Sequence, residues 1–211
     1  MKYRNVWKST VHRGLLRAAL AVLVLPVTAV ASGLNDADRK EGLAQLEHTR
    51  KGVIEATKGL SEAQWKFKPA PDRWSVAEVL EHIAVTEDFL FETISQNVMQ
   101  APAGKPDRDY KAIDKKVLTM IADRSQRAQA PQEVQPSGRW SSKETLEHFE
   151  RSRTRTAEFL KATPDLREHV VDSPIGEPLD AYQWLLFISA HSERHTKQML
   201  EVKADPNFPK K

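Results

Sequence analysis

His191-Ser192-Glu193-Arg194-His195 places two imidazoles four residues apart in a run that is otherwise apolar at helical spacing. If 180–202 is a helix, both rings project from one face about one turn apart, beside Trp184, Ile188 and Met199. A face of that composition points into a core. A buried polar group without a partner costs roughly 1–3 kcal/mol, so two inward histidines need one. A divalent metal satisfies both at once, provided that another helix supplies a third ligand.

Seven histidines are available. His12 lies in the N-terminal leader, His169 in a loop-like stretch, and His48 beside Glu47 and Arg50 on a face that reads as solvated. His82 follows Val79 by three residues and borders the apolar stripe of its helix, whereas His148 has Thr145, Arg151 and Ser152 around it, a wetter face. Alone, His82 reads as a core histidine bonded to a backbone carbonyl. Taken with His191 and His195, it completes a set of three neutral imidazoles with a fourth position open, the pattern of catalytic zinc sites. Imidazole also suits nickel, copper or iron. The expected cofactor is one divalent metal ion, zinc or nickel, on His82, His191 and His195.

Other chemistries fail on spacing. No glutamate precedes a histidine by three positions, which removes the Glu-x-x-His pairs of di-iron bundles. His-Glu-x-x-His, Gly-x-Ser-x-Gly and a glycine-rich phosphate loop are absent, and with no cysteine there is no thiolate ligand or nucleophile. Glu87 and Tyr182 could orient the ligand rings, but by position Glu87 reads as a surface acid and Tyr182 as a core aromatic.

Four long helical patterns must position these rings: about Asn35 to Leu60, Ser75 to Val98, Ser141 to Ala162, and Asp180 to Val202. A weaker one, Ala112 to Gln129, lies between the second and third, and proline-rich segments separate them all. No alternating strand pattern is present. The fold class is all-α, a four-helix bundle with a long connection, carrying a short extra helix, between helices 2 and 3. Arg73-Trp74-Ser75-x-x-Glu78-x-x-x-His82 is echoed by Arg139-Trp140-Ser141-x-x-Glu144-x-x-x-His148. Ser-x-x-Glu is a capping box, so Glu78 and Glu144 are expected to cap helices, as Gln183 does from Asp180, and Trp74 and Trp140 to cover the bundle end.

The first 31 residues read differently. Five cations without an acid precede an apolar run from Ala18, interrupted by Pro26 and ending in Ala29-Val30-Ala31, the layout of a signal peptide. The expected organisation is a leader over 1–31, cleaved after Ala31, and a single domain over 32–211, exported to the periplasm or beyond with no stable membrane anchor after processing. Removing five of the 32 Lys and Arg leaves 27 against 29 Asp and Glu, a net charge of −2. That balance gives no basic surplus for neutralising phosphates and argues against nucleic acid as a partner.

On Trp74, Ser75, Glu78 and His82, then His191 and His195, the sequence resembles the DinB-like superfamily. Asp180-Ala-Tyr-Gln-Trp184, Arg194-His195-Thr196-x-Gln198 and Pro174-x-Gly176 extend the resemblance. It implies a four-helix bundle, a divalent metal on three histidines, a homodimer, and a small-molecule substrate. It further implies a transferase or isomerase working with a thiol such as bacillithiol, mycothiol or glutathione, while a metal with an open position for water equally allows a metal-dependent hydrolase. The leader directs the chain away from the compartment where such thiols are concentrated. The alternative is a non-catalytic bundle that binds metal or a partner protein.

Overall fold

The computed structural model describes residues 33–104, 108–125 and 129–210. The leader and its cleavage after Ala31 lie outside them. Six helices are present among the described residues: α1 (Asp36–Thr57), α2 (Glu62–Lys66), α3 (Val76–Glu92), α4 (Tyr110–Ala122), α5 (Ser142–Ala162) and α6 (Ala181–Lys203). α1, α3, α5 and α6 form the bundle, each packed on two neighbours in the cyclic order α1, α6, α3, α5, while α4 lies along α6. None of the described helices is long and apolar enough to cross a membrane.

The expected caps are in place. Glu78 N–H donates to Ser75 Oγ at 3.2 Å while Ser75 N–H donates to Glu78 Oε2 at 2.7 Å, starting α3. Ser141 with Glu144 and Asp180 with Gln183 start α5 and α6 in the same way. α2 is a single turn opened by a further box, Ser61 with Gln64, inside a stretch that carried no helical pattern. The second pattern does not run to Val98 as one α-helix. It widens into a π turn over Thr93–Asn97 and then a 3-10 turn over Val98–Gln100. There the Thr93 hydroxyl donates back to the Phe89 carbonyl at 2.9 Å, a contact that competes with the helical ladder. The connecting helix starts earlier than its apolar residues indicate, because Asp109 accepts the Ala112 N–H at 3.0 Å, and it stops at an extended Asp123. One antiparallel pair, β1 (Val170–Val171) with β2 (Leu179–Asp180), leaves the all-α class intact and delivers Asp180 to its capping position.

Two apolar clusters fill the bundle. One contains Leu46, Leu90, Leu160, Leu185 and Ile188, the other Val53, Val79, Ile83, Phe149 and Met199. Between them each helix contributes a polar residue: Thr49, Glu87, Arg153 and Ser192. The Arg153 fork donates through Nε and Nη2 to the two Glu87 oxygens, both at 2.9 Å. Its Nη1 reaches the Leu46 carbonyl at 2.6 Å and Thr49 Oγ1 at 2.8 Å, and Nη2 also reaches Ser192 Oγ at 2.8 Å. One side chain thereby ties all four bundle helices together. Glu87 is not the surface acid expected from sequence: it is 1% exposed. Four residues after Ile83 and three before Leu90, it stands on the inner face of α3, where a buried charge survives only with a partner.

A second buried guanidinium holds α4 in place. Arg167 donates to Asp114 on α4 at 2.7 and 2.8 Å, to Asp38 on α1 at 2.9 Å and to Asp180 at 3.1 Å. Tyr182 is the core aromatic that its position indicates, 1% exposed, with its hydroxyl donating to the Asp38 carbonyl at 2.6 Å. Its ring sits so close to α1 that a Cβ on Gly42 would stand 2.7 Å from Tyr182 Cε2 and 3.0 Å from Leu160 Cδ2. Gly42→Ala is therefore expected to lower the melting temperature. Alanine gains about 1 kcal/mol of helix propensity, but overpacking against a rigid ring costs about 1–3 kcal/mol. A variant that melts higher than the parent would show that the ring moves aside freely.

Candidate metal centre

α3 and α6 bring the three histidines together. His82 and His195 are buried and His191 is partly exposed. The ring centroids lie 5.0 Å apart for His82 and His191, 4.5 Å for His82 and His195, and 4.4 Å for His191 and His195. One nitrogen from each ring lies within 4.8 Å of the others, a cluster that could hold a metal ion. All three residues singled out in the sequence are thus at one place, contributed by two helices that are distant in the chain.

The hydrogen bonds around the rings decide which nitrogens face inward. His82 Nδ1 stands 2.8 Å from the Val134 carbonyl, which can only accept, so Nδ1 carries the proton and Nε2 the lone pair. His195 Nδ1–H donates to Gln198 Oε1 at 2.7 Å, which again leaves Nε2 unprotonated. The two Nε2 atoms then face each other at 3.2 Å. Two lone pairs at that distance repel, and a shared cation removes the repulsion. Tetrahedral ligands with bonds of about 2.0–2.1 Å to zinc lie about 3.3 Å apart, so the donor pair fits such an ion. Among the described residues His191 has ring contacts only.

The electrostatics agree with a set of neutral ligands. Burial lowers the His82 pKa, opposed only in part by the Val134 carbonyl. Burial pushes His195 down to about 3, with the charge of His82 adding to the effect. His191 lies well below the ordinary value of 6.5: part of the residue reaches the surface, but its ring is desolvated against its neighbours, and His195 and His82 add to the shift. At neutral pH all three rings are uncharged and able to ligate.

The surroundings separate His82 from its echo. Trp74 packs on the His82 ring with centroids 4.9 Å apart, beside the histidine cluster. His148 stacks on Trp140 at 4.3 Å, and its Nε2 contacts Asp88 Oδ2 at 2.5 Å, which takes it out of the cluster. No further histidine or carboxylate joins the three among the described residues. Of the polar partners of these rings, Val134 carried no signal in the sequence, and Gln198 appeared only within the Arg194-His195-Thr196-x-Gln198 resemblance, with no role attached. A carbonyl acts through the backbone, so residue type cannot reveal it, whereas Gln198 stands three positions after His195, within reach of its ring on one helix. A second group, Asp165, Glu168 and His169, lies partly exposed after α5. There His169 Nδ1–H donates to the Ala101 carbonyl at 2.6 Å and ties the loop to the connection.

Comparison with known proteins agrees with this geometry. The sequence pattern of the DinB superfamily matches residues 45–199, a span that includes all three histidines. The uncharacterized protein YuaE of Bacillus subtilis (strain 168) is 30% identical over 150 residues, covering 69% of this chain and 87% of that protein. Among solved structures, YfiT from Bacillus subtilis is similar, with a TM-score of 0.52 and 14% identity over 84% of this chain and 93% of that one. YfiT is described as a probable metal-dependent hydrolase with an unusual four-helix bundle topology. At that identity the likeness shows the fold.

Proposed function

The chain belongs to the DinB superfamily, and from that premise we propose that it binds one divalent metal ion, zinc or nickel, through His82, His191 and His195 for hydrolysis of a small-molecule substrate. The observation that carries this reading is the convergence of three neutral imidazoles without a fourth ligating side chain among the described residues. A structural zinc site closes its shell with four protein ligands, whereas a catalytic one keeps a position for water or substrate. When bound, the ion supplies Lewis acidity, polarising a substrate oxygen and activating water at neutral pH.

The chain's own residues do the rest. The Val134 carbonyl and Gln198 Oε1 accept hydrogen bonds from the Nδ1–H groups of His82 and His195 and so hold the Nε2 lone pairs inward. Trp74 covers the His82 ring and shields one side of the site. His191, the least buried of the three, leaves its side as the approach for solvent and substrate. Water rather than a low-molecular-weight thiol is the co-reactant on this reading, since the leader over 1–31 directs the protein out of the cytoplasm. The YfiT description points toward hydrolysis as well.

Metal analysis of the purified protein and of His82→Ala, His191→Ala and His195→Ala tests the reading. The parent is expected to carry about one ion per chain, in keeping with a single three-nitrogen site, and each variant to lose it. Unchanged metal content in all three variants would end the proposal. A closed four-ligand shell in the metal's spectrum would favour a non-catalytic site instead.

A further inference from the structure

Gln198 poses a question that the metal ligands do not answer. Its amide can present either Oε1 or Nε2 to His195 Nδ1, and the two choices have opposite consequences. With Oε1 facing the ring, Nδ1 holds the proton and Nε2 is free to ligate. With the amide turned over, its N–H₂ donates to Nδ1, the ring proton moves to Nε2, and ligation through that atom is blocked. Something must select between them.

Arg124 is in position to do so. It lies just beyond the end of α4, and its Nη1 donates to Gln198 Oε1 at 3.3 Å. Its Nε and Nη2 grip the two carboxylate oxygens of Glu201 on α6, at 2.7 and 2.6 Å, which fixes the guanidinium. An arginine has only donors and stays charged, so it can face the amide oxygen but not the amide N–H₂. We propose that Arg124 selects the metal-ligating tautomer of His195 by holding the Gln198 amide with its oxygen toward both donors. Arg124 is a positioning residue, acting through Gln198.

The inference rests on the metal reading above and extends it to the connection between α3 and α5. Val134, whose carbonyl accepts the hydrogen bond of His82 Nδ1–H, is also on that connection. His82 directly, through Val134, and His195 indirectly, through Gln198 on its own helix, thus each depend on a residue of that connection. The Arg167 cluster, which seats α4 through Asp114, brings Arg124 within reach of α6.

Titration of the full chain with Co²⁺, followed by its visible absorption, tests this. Arg124→Met is expected to weaken Co²⁺ binding by about tenfold, the lower end of what loss of such outer partners costs. Gln198→Glu introduced into Arg124→Met should restore affinity to within about twofold of the parent, because a carboxylate can only accept and needs no selector. A role limited to the Arg124–Glu201 ion pair would not be rescued in that way. Parental affinity in Arg124→Met, or a folded double variant without rescue, overturns the proposal. His195→Ala is the control: if it binds Co²⁺ like the parent, the metal reading itself fails, whereas lost binding there with no effect of Arg124→Met defeats the tautomer selection alone. Should Arg124→Met not fold, ring-nitrogen NMR of the metal-free parent decides, with a proton on His195 Nδ1 supporting the assignment and one on Nε2 refuting it.

Discussion

Arg153→Met is expected to lower the melting temperature by roughly 10 °C. The substitution keeps much of the side chain's length but leaves the Glu87 carboxylate in the bundle centre with Thr156 Oγ1 as its remaining donor, at 3.0 Å. Breaking a buried ion pair from one side costs about 3–5 kcal/mol, a large fraction of the 5–15 kcal/mol that holds a typical domain together. In a domain of this size each kcal/mol moves the midpoint by about 2–4 °C. The carbonyl of Leu46 and the hydroxyls of Thr49 and Ser192 lose a donor in the same step. Adding Glu87→Gln removes the stranded charge and should recover a substantial part of the loss, so that the two effects are strongly non-additive. Thermal melts of the two single variants and the double decide it. Simple additivity would mean that the pair does not act as a unit.

Metal removal should produce an effect of similar size. An ion present at about a thousand times its dissociation constant stabilises the folded state by about 4 kcal/mol, again near 10 °C in this domain. Treatment with a chelator is expected to lower the midpoint by that amount and readdition of Zn²⁺ or Ni²⁺ to restore it. A midpoint indifferent to both treatments would separate the histidine cluster from metal altogether. Acid acts in the same direction through the histidines. In the unfolded chain they titrate near the ordinary 6.5, while in the fold they sit lower, His195 at about 3. Between those values the unfolded chain holds more protons, so stability rises with pH across the window. The histidine contribution is complete above about pH 6.5 and is lost progressively as the pH falls toward 3. Protons also compete with the metal for the same nitrogens, so the chelator effect should shrink over that range. Ring signals of His82, His191 and His195 that titrate near 6.5 in NMR of the metal-free protein would show that these rings are not held neutral by burial.

Much of the fold was readable along the chain because helices are local. The periodicity of Val79, Leu80 and Ile83 identified the inner face of α3, and Ser-x-x-Glu marked the starts of α3 and α5 to within a residue, since capping is a bond between positions three apart. Departures from those expectations occurred where a local pattern competes with another bond. The Thr93 hydroxyl opens the end of α3, and Asp109 starts α4 ahead of its apolar residues. The same locality explains why His191 and His195 were recognisable as a pair.

The sequence alone determined the residue types that could ligate, their helical spacing, and the neutral, cysteine-free chemistry that they allow. Tertiary structure decided what each of them meets. Glu87 read as an ordinary surface acid until α5 placed Arg153 against it, and Val134 had no chemistry until its carbonyl reached His82 from 52 residues away. His82 and His148 begin from the same motif, yet one ring meets two more imidazoles and the other meets Asp88. The reason is physical: spacing fixes the direction of a side chain from its own helix. Partners, burial and tautomer depend on which other helix lies across from it, and that is set only when the bundle closes.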